Sequence, residues 1–296
     1  MLSLLSGAAL LTAVGLFSQL VGFGYRIVLS RLVGAETMGL YQLIMPVYST
    51  LMSLTAIGLT VAVSTLSARY EALGDRGAVR QTRDRALALF FAAAVPLGAL
   101  LVVFSDPISV YLLGDARTQL GIILLVPCVL LTGVENLHKH CFYGIGQVRP
   151  PALTETAEQL IRTGAVLGLL VLLLPRNREE TVGIIVTGMV LCEIFSAVTL
   201  TALFRRWWRS GPQAPARAHV GWGQLLSISI PVAGTSLLGT LLGSANAVLI
   251  PAKLVEGGMD PSAAISPFGV LSGTTTPLLS VPTGFMGAPC LVLVPT

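Results

Sequence analysis

Two long apolar stretches, residues 4–28 and 37–68, open the chain and restrict its fold more than any other feature. Each exceeds the roughly 20 residues that a helix rising 1.5 Å per residue needs to cross a bilayer. The short segment Gly34-Ala35-Glu36 between them reads as a turn, so the pair forms a helical hairpin. Arg26 lies near the end of the first stretch, where the pattern calls for an uncharged residue. A charge in hydrocarbon costs roughly 2.5–3.5 kcal/mol, so such a side chain either faces a polar interior or reaches back to the head groups. The first alternative makes the hairpin the wall of a polar pathway through the membrane.

The rest of the chain agrees with a membrane setting. Charged residues make up 11% of the sequence, against about 25% in soluble domains. Continuous apolar runs without two-residue alternation exclude a lipid-facing β-barrel. The expected class is therefore an all-α, polytopic membrane protein. The net charge of +4 comes from arginines gathered at membrane edges, which reads as a topology signal and not as a nucleic-acid surface. The four cysteines form no Cys-x-x-Cys pair, so no disulfide framework or zinc site is indicated. His138 and His140 flank Lys139 at a membrane edge, where hydrogen bonding and snorkelling account for them better than metal ligation. No phosphate-binding glycine loop or nucleophile elbow is present. Neither an enzyme, a metal nor a cofactor is expected. Without a basic n-region or a small-residue cleavage site, the first helix is expected to be retained.

Eight spanning helices are expected: residues 4–28, 37–68, 86–105, 118–141, 150–175, 181–204, 225–252 and 263–294. The loops after helices two, four and six hold Arg69, Arg76, Arg80, Arg83, Arg85, Lys139, Arg149, Arg205, Arg206, Arg209 and Arg217. The opposite loops hold only Arg31, Arg117, Arg176, Arg178 and Lys253. This eleven-to-five bias puts the first set, and both termini, in the cytoplasm. Trp207, Trp208 and Trp222 flank one loop and read as interfacial anchors. The Pro-rich loop 211–217 divides the chain, giving a first lobe over 1–210, a linker over 211–221, and the first two helices of a second lobe over 222–296. Pro46 and Pro277 interrupt the second helix of each opening hairpin, a pattern associated with transporter substrate sites.

Polar residues within the helices mark candidate walls of a pathway. Gly15, Gln19, Gly22 and Arg26 recur at three-to-four spacing on one face of the first helix. Gln42, Ser49 and Ser53, with Tyr41 beside them, form a stripe on the second. Ser236, Thr240, Gly243 and Asn246 follow on the seventh, and Thr275 with its neighbours on the eighth. Helix packing explains many hydroxyls equally well, and Gly239-x-x-x-Gly243 is a close-approach motif. Glu135 with Lys139, and Glu158 with Arg162, are spaced for local ion pairs. Glu193 lies mid-helix without a sequence-local partner. It reads either as a proton or cation site or as the partner of an arginine on a neighbouring helix.

The run from Leu16 to Ala35, including Phe17-Ser-Gln19 and Gly22-Phe-Gly-Tyr-Arg26, resembles the first helix of the multidrug/oligosaccharidyl-lipid/polysaccharide (MOP) flippase superfamily. Gly39-Leu-Tyr-Gln42 and Met45-Pro46 are similar to its stage V sporulation protein B branch, and residues 281–296 to the eighth helix of that group and of the related lipid II flippases. The resemblance implies two lobes around a central cavity lined by helices one, two, seven and eight. It also implies alternating-access flipping of lipid-linked peptidoglycan or polysaccharide precursors in the bacterial plasma membrane, driven by a cation gradient or the membrane potential. Superfamily members have twelve or fourteen helices, so eight correspond to the first lobe and the start of the second. Cavity arginines of lipid II flippases lie on helices one, two and eight. Arg26 alone carries over, displaced by one residue, while Thr50-Leu51 and Thr275-Thr276 stand near the other places. Head-group contacts then fall to Arg26, Gln19, Tyr41 and Gln42. A cation-coupled drug antiporter of the same superfamily using Glu193, or a non-transporting membrane scaffold, are the alternative expectations.

Overall fold

The computed structural model describes residues 2–211 and 219–276. Arg217, Pro277, Cys290 and the motif at 281–296 lie outside the described residues. The described residues hold helices and no strand. Among the described residues, six stretches are long and apolar enough to cross a membrane, the first being Ala13–Ala72. At 1.5 Å per residue those 60 residues would reach about 90 Å, three times the hydrocarbon thickness. The run therefore has to fold back, and it does so at Gly34, where φ is 79° and ψ 166°.

Gly34 divides the run into α1 (residues 2–33) and α2 (residues 35–72), with a π turn at Ser53–Ile57 in α2. Then follow α3 (Arg76–Val103), α4 (Gln119–Gly144), α5 (Arg149–Leu173), α6 (Arg178–Arg209) and α7 (Trp222–Glu256). Last is α8 (Pro261–Val270), which continues through a further π turn, Leu271–Thr275. All eight expected helices begin where the sequence places them, to within about ten residues. The helical hairpin of α1 and α2 needs a single non-helical residue where a three-residue turn is expected.

The starts of the helices follow from local chemistry. The Asp75 carboxylate accepts the Ala78 amide at 3.0 Å to cap α3, and Asn177 accepts the Glu180 amide at 2.8 Å to cap α6. Prolines 150 and 151 open α5, where the missing amide hydrogen costs nothing.

The φ/ψ pair at Gly34 belongs to a region that side-chain-bearing residues scarcely enter, at a cost on the order of 1–3 kcal/mol. Gly34→Ala is therefore expected to lower stability by that amount, read as a lower melting temperature of the detergent-solubilised protein. An unchanged melt would show that the hairpin turns elsewhere. Ion pairs hold the same end. Glu36 accepts from Arg117 at 2.8 Å and pairs with Arg178 at 2.8 Å, and Arg117 also pairs with Asp115 at 2.6 Å. The α1–α2 turn is thereby tied to the segment that precedes α4 and to the first residue of α6.

Helix α4 is central, packed against α2, α3 and α6. Its Gly133 takes the ring of Phe90 directly against the backbone. Its Gly121 admits Ile44 of α2 and Val182 of α6. Tyr48 of α2 donates to Thr132 Oγ1 at 3.3 Å. Helix α2 is gripped at two points by later helices. Near Gly34, Gly39 lies against the backbone of Ile265 in α8, and past the middle of the helix Gly58 lies against Ser229 and Ala233 in α7. Among the described residues, nothing lies within 4 Å of where a side chain would begin at Gly239 or Gly243. The glycine that brings α7 close to α2 is on α2.

Trp207 is buried in the core, whereas Trp222 is exposed. The guanidinium of Arg76 stands 4.7 Å over the Trp207 ring, Arg80 stands 5.1 Å over Trp208, and Arg85 stands 5.1 Å over Trp222. The rings serve as shelves for arginines of α3.

Candidate functional site

Two hollows meet at Arg26. The larger, about 950 Å³, is walled by α1, α2, α5 and α8. The polar row of α1 faces it as a unit: Gly15, Gln19, Gly22 and Arg26 all line it, with Ser18 beside them. Phe17, Leu20, Val28 and Leu32 on the same helix are exposed on the outside of the bundle. Helical periodicity thus gives α1 one wet and one greasy face. Tyr41 and Gln42 of α2 line the same hollow, as do Glu155, Gln159 and Arg162 of α5.

The second hollow, about 730 Å³, lies among α2, α7 and α8. It shares Arg26, Gln42, Met45, Ser272 and Thr276 with the first, so the two form one connected space. Ser49 and Thr240 line it. Thr240 Oγ1 also lies 2.7 Å from Ser53 Oγ, joining α7 to the π turn of α2.

Arg26 is exposed to this space on both sides. It sits eight residues before Gly34, about 12 Å down the helix. Among the described residues it makes no ion pair. Arg162 differs, because it is held by carboxylates. It pairs with Glu158 one turn away on α5 and with Glu193 on α6 at 3.1 Å, and its Nε donates to Cys192 Sγ at 3.4 Å. Glu135, 2.7 Å from Lys139, brings a third carboxyl against Glu158 and Glu193. Both local pairs expected from i, i+4 spacing are present, and they converge in one buried network across α4, α5 and α6. Glu193 thus has a partner from a neighbouring helix, the second of its two open readings.

Glu158, Cys192 and Glu193 offer one ligand atom each within 4.8 Å of one another. The Arg162 guanidinium bonds all three residues, so the donors already serve a cation of the chain itself. His138 takes no part; its Nδ1 lies 2.8 Å from the Val134 carbonyl oxygen and its ring packs edge-on to Phe204.

The remaining candidates are placed as follows. Glu193 is buried behind Arg162 and does not line the hollows. Ser236 and Thr275 do not line them either; Thr275 turns back to donate to the Val270 carbonyl at 3.2 Å. The side chain of Asn246 lies outside the described residues. The sequence reading missed the α5 contribution of Glu155, Gln159 and Arg162. Their three-to-four spacing was available as a signal, but Glu158–Arg162 reads as a surface pair until α6 is seen beside it.

The chain is similar to known proteins throughout its length. The polysaccharide biosynthesis protein family matches residues 4–296. Stage V sporulation protein B of Bacillus subtilis (strain 168) is 25% identical over 98% of this chain and 57% of its own length. Sporulation protein YkvU of the same organism is 21% identical over 98% of this chain and 64% of its own. Among solved structures, an inward-facing multidrug resistance MATE family transporter of the MOP superfamily aligns over 94% of this chain and 60% of its own, with TM-score 0.61 and 15% identity. A MOP superfamily transporter from Pyrococcus furiosus aligns over 94% and 65%, with TM-score 0.63 and 13% identity. The chain thus has a MATE-like fold, and it spans less than two thirds of the length of these relatives.

Proposed function

Because the chain belongs to the polysaccharide biosynthesis protein family, we propose that it forms part of a flippase. The flippase moves lipid-linked polysaccharide or peptidoglycan precursors across the bacterial plasma membrane by alternating access. The observation that carries this reading is Arg26: a guanidinium free of ion pairs among the described residues, on the shared wall of two connected hollows. Such a substrate is an amphiphile with a phosphate-linked sugar head. The head needs a wet, polar enclosure with a fixed cation, while its tail stays in the bilayer. Arg26 meets the phosphate, where planar guanidinium donors are suited to bidentate contact. Gln19, Tyr41 and Gln42 on one side, and Ser49 and Thr240 on the other, offer neutral donors and acceptors to sugar hydroxyls.

Residues 1–210 supply the first lobe in this reading, and residues 222–296 the opening hairpin of the second. The arginine bias sets the Arg76 end of the bundle in the cytoplasm. A drug antiporter coupled through Glu193 is less favoured, since Arg162 already engages that carboxylate.

The test is direct. Proteoliposomes of the chain should expose a fluorescent polyprenyl-diphosphate-linked sugar from the inner leaflet to an impermeant quencher faster than protein-free vesicles do. Equal rates would overturn transport by this chain. Equal binding of the lipid-linked sugar and of neutral polyprenol would overturn the substrate class.

A further inference from the structure

A second polar site lies at the Arg76 end of the bundle, lined by none of the residues of the two hollows. Long side chains from the start of α3 and the end of α6 meet there. Arg80 stacks over Trp208, and Arg83 stands 4.4 Å over Phe204. The stacked guanidiniums are held in fixed directions, and both turn toward one carboxylate, Asp84. Arg205 and Arg209 of α6 face the same place and make no ion pair among the described residues. The result is a cup of about 400 Å³ with four guanidiniums and one carboxylate in its wall.

A groove of about 560 Å³ adjoins the cup and shares Arg205 and Arg209 with it. It continues along the membrane-spanning part of α6 past Thr201 and Ala202 to Val198, which is 63% exposed. A strongly cationic cup thus adjoins a depression along α6, whose wall also holds Arg206 and whose far end, Ala202 and Val198, is apolar.

We propose that cup and groove together bind an anionic phospholipid, with the phosphate among Arg80, Arg83, Arg205 and Arg209 and an acyl chain along α6 from Ala202 to Val198. Topology alone requires arginines near this membrane edge. It does not require them to converge on a concavity or to be oriented by aromatic shelves. The helix dipole favours Arg209 in the last turn of α6, but Arg80 and Arg83 lie beyond the first turn of α3, where the dipole does not account for their convergence. A free phosphate ion would fill the cup but has no use for the groove.

The experiment uses the purified, delipidated chain in a neutral maltoside detergent, read by native mass spectrometry and by thermal melting. Phosphatidylglycerol should be retained and raise the melting temperature, and phosphatidylcholine should do neither. Arg205→Gln with Arg209→Gln should weaken phosphatidylglycerol binding about tenfold or more, whereas Arg149→Gln, at the same membrane edge, should leave it unchanged. Val198→Trp, on an exposed surface that folding does not depend on, should weaken it by filling the groove. Equal retention of both lipids, or indifference to the double substitution, would overturn the proposal. Protection by inorganic phosphate matching that by phosphatidylglycerol would overturn the assignment to a lipid.

Discussion

Arg162→Met is expected to destabilise the protein by about 3–5 kcal/mol, the usual cost of removing one partner from a buried ion network. Methionine keeps the length and apolar bulk of the stem, so packing is nearly conserved. What is lost is the charge that Glu158 and Glu193 share. Both carboxylates are buried, at 7% and 2% exposure, and neither can turn to water without unpacking α5 from α6. The measurement is thermal or denaturant unfolding in detergent. The identifying control is Arg162→Met combined with Glu158→Gln and Glu193→Gln. Removing these three charges together should recover most of the loss, since it leaves Glu135 paired with Lys139 and no buried ion unpaired. A single variant as stable as the parent would mean that the three side chains do not meet in the protein.

Arg26→Ala should weaken binding of a polyprenyl-diphosphate-linked sugar about ten- to hundredfold, the value of charge-assisted hydrogen bonds worth roughly 1.5–3 kcal/mol. Stability should stay the same, because Arg26 packs against space and makes no ion pair among the described residues. That contrast separates the two arginines of the cavity wall: one is needed for the fold, and the other is available to a ligand. Arg26→Lys should fall between, keeping the charge and losing the two-pronged geometry. Titration of the detergent-solubilised protein with a fluorescent lipid-linked sugar provides the reading. An affinity indifferent to Arg26 would remove the basis for placing the phosphate there.

Much of the architecture was legible because lipid allows few solutions. Runs of twenty apolar residues can only be helices, and the 37–68 stretch cannot continue the 4–28 stretch in the same direction, so Gly34 was found. The wet face of α1 was legible too, because Gln19, Gly22 and Arg26 repeat with the helix. Contacts between distant helices were not. Arg162 looks like a local partner of Glu158, and only the packing of α5 on α6 brings Glu193 to it. Trp207 and Arg76 lie far apart in the chain and give no local sign of stacking. Gly239 and Gly243 have the spacing of a packing motif, yet Gly58 makes the close approach, because the motif describes one helix and the contact needs two.

The grip on α2 at Gly39 and Gly58 has a mechanical consequence. With Gly39 wedged against α8 and Gly58 against α7, this helix cannot swing as a rigid lever without parting one joint or the other. Compliance is left to the span between. There Pro46 withholds the amide that the carbonyl of residue 42 would otherwise accept from, and the π turn at Ser53–Ile57 loosens the ladder again. Any bowing of that span carries Tyr41 and Gln42 with it and strains the Tyr48–Thr132 and Ser53–Thr240 contacts, so the calibre of the space around Arg26 follows how far this helix flexes.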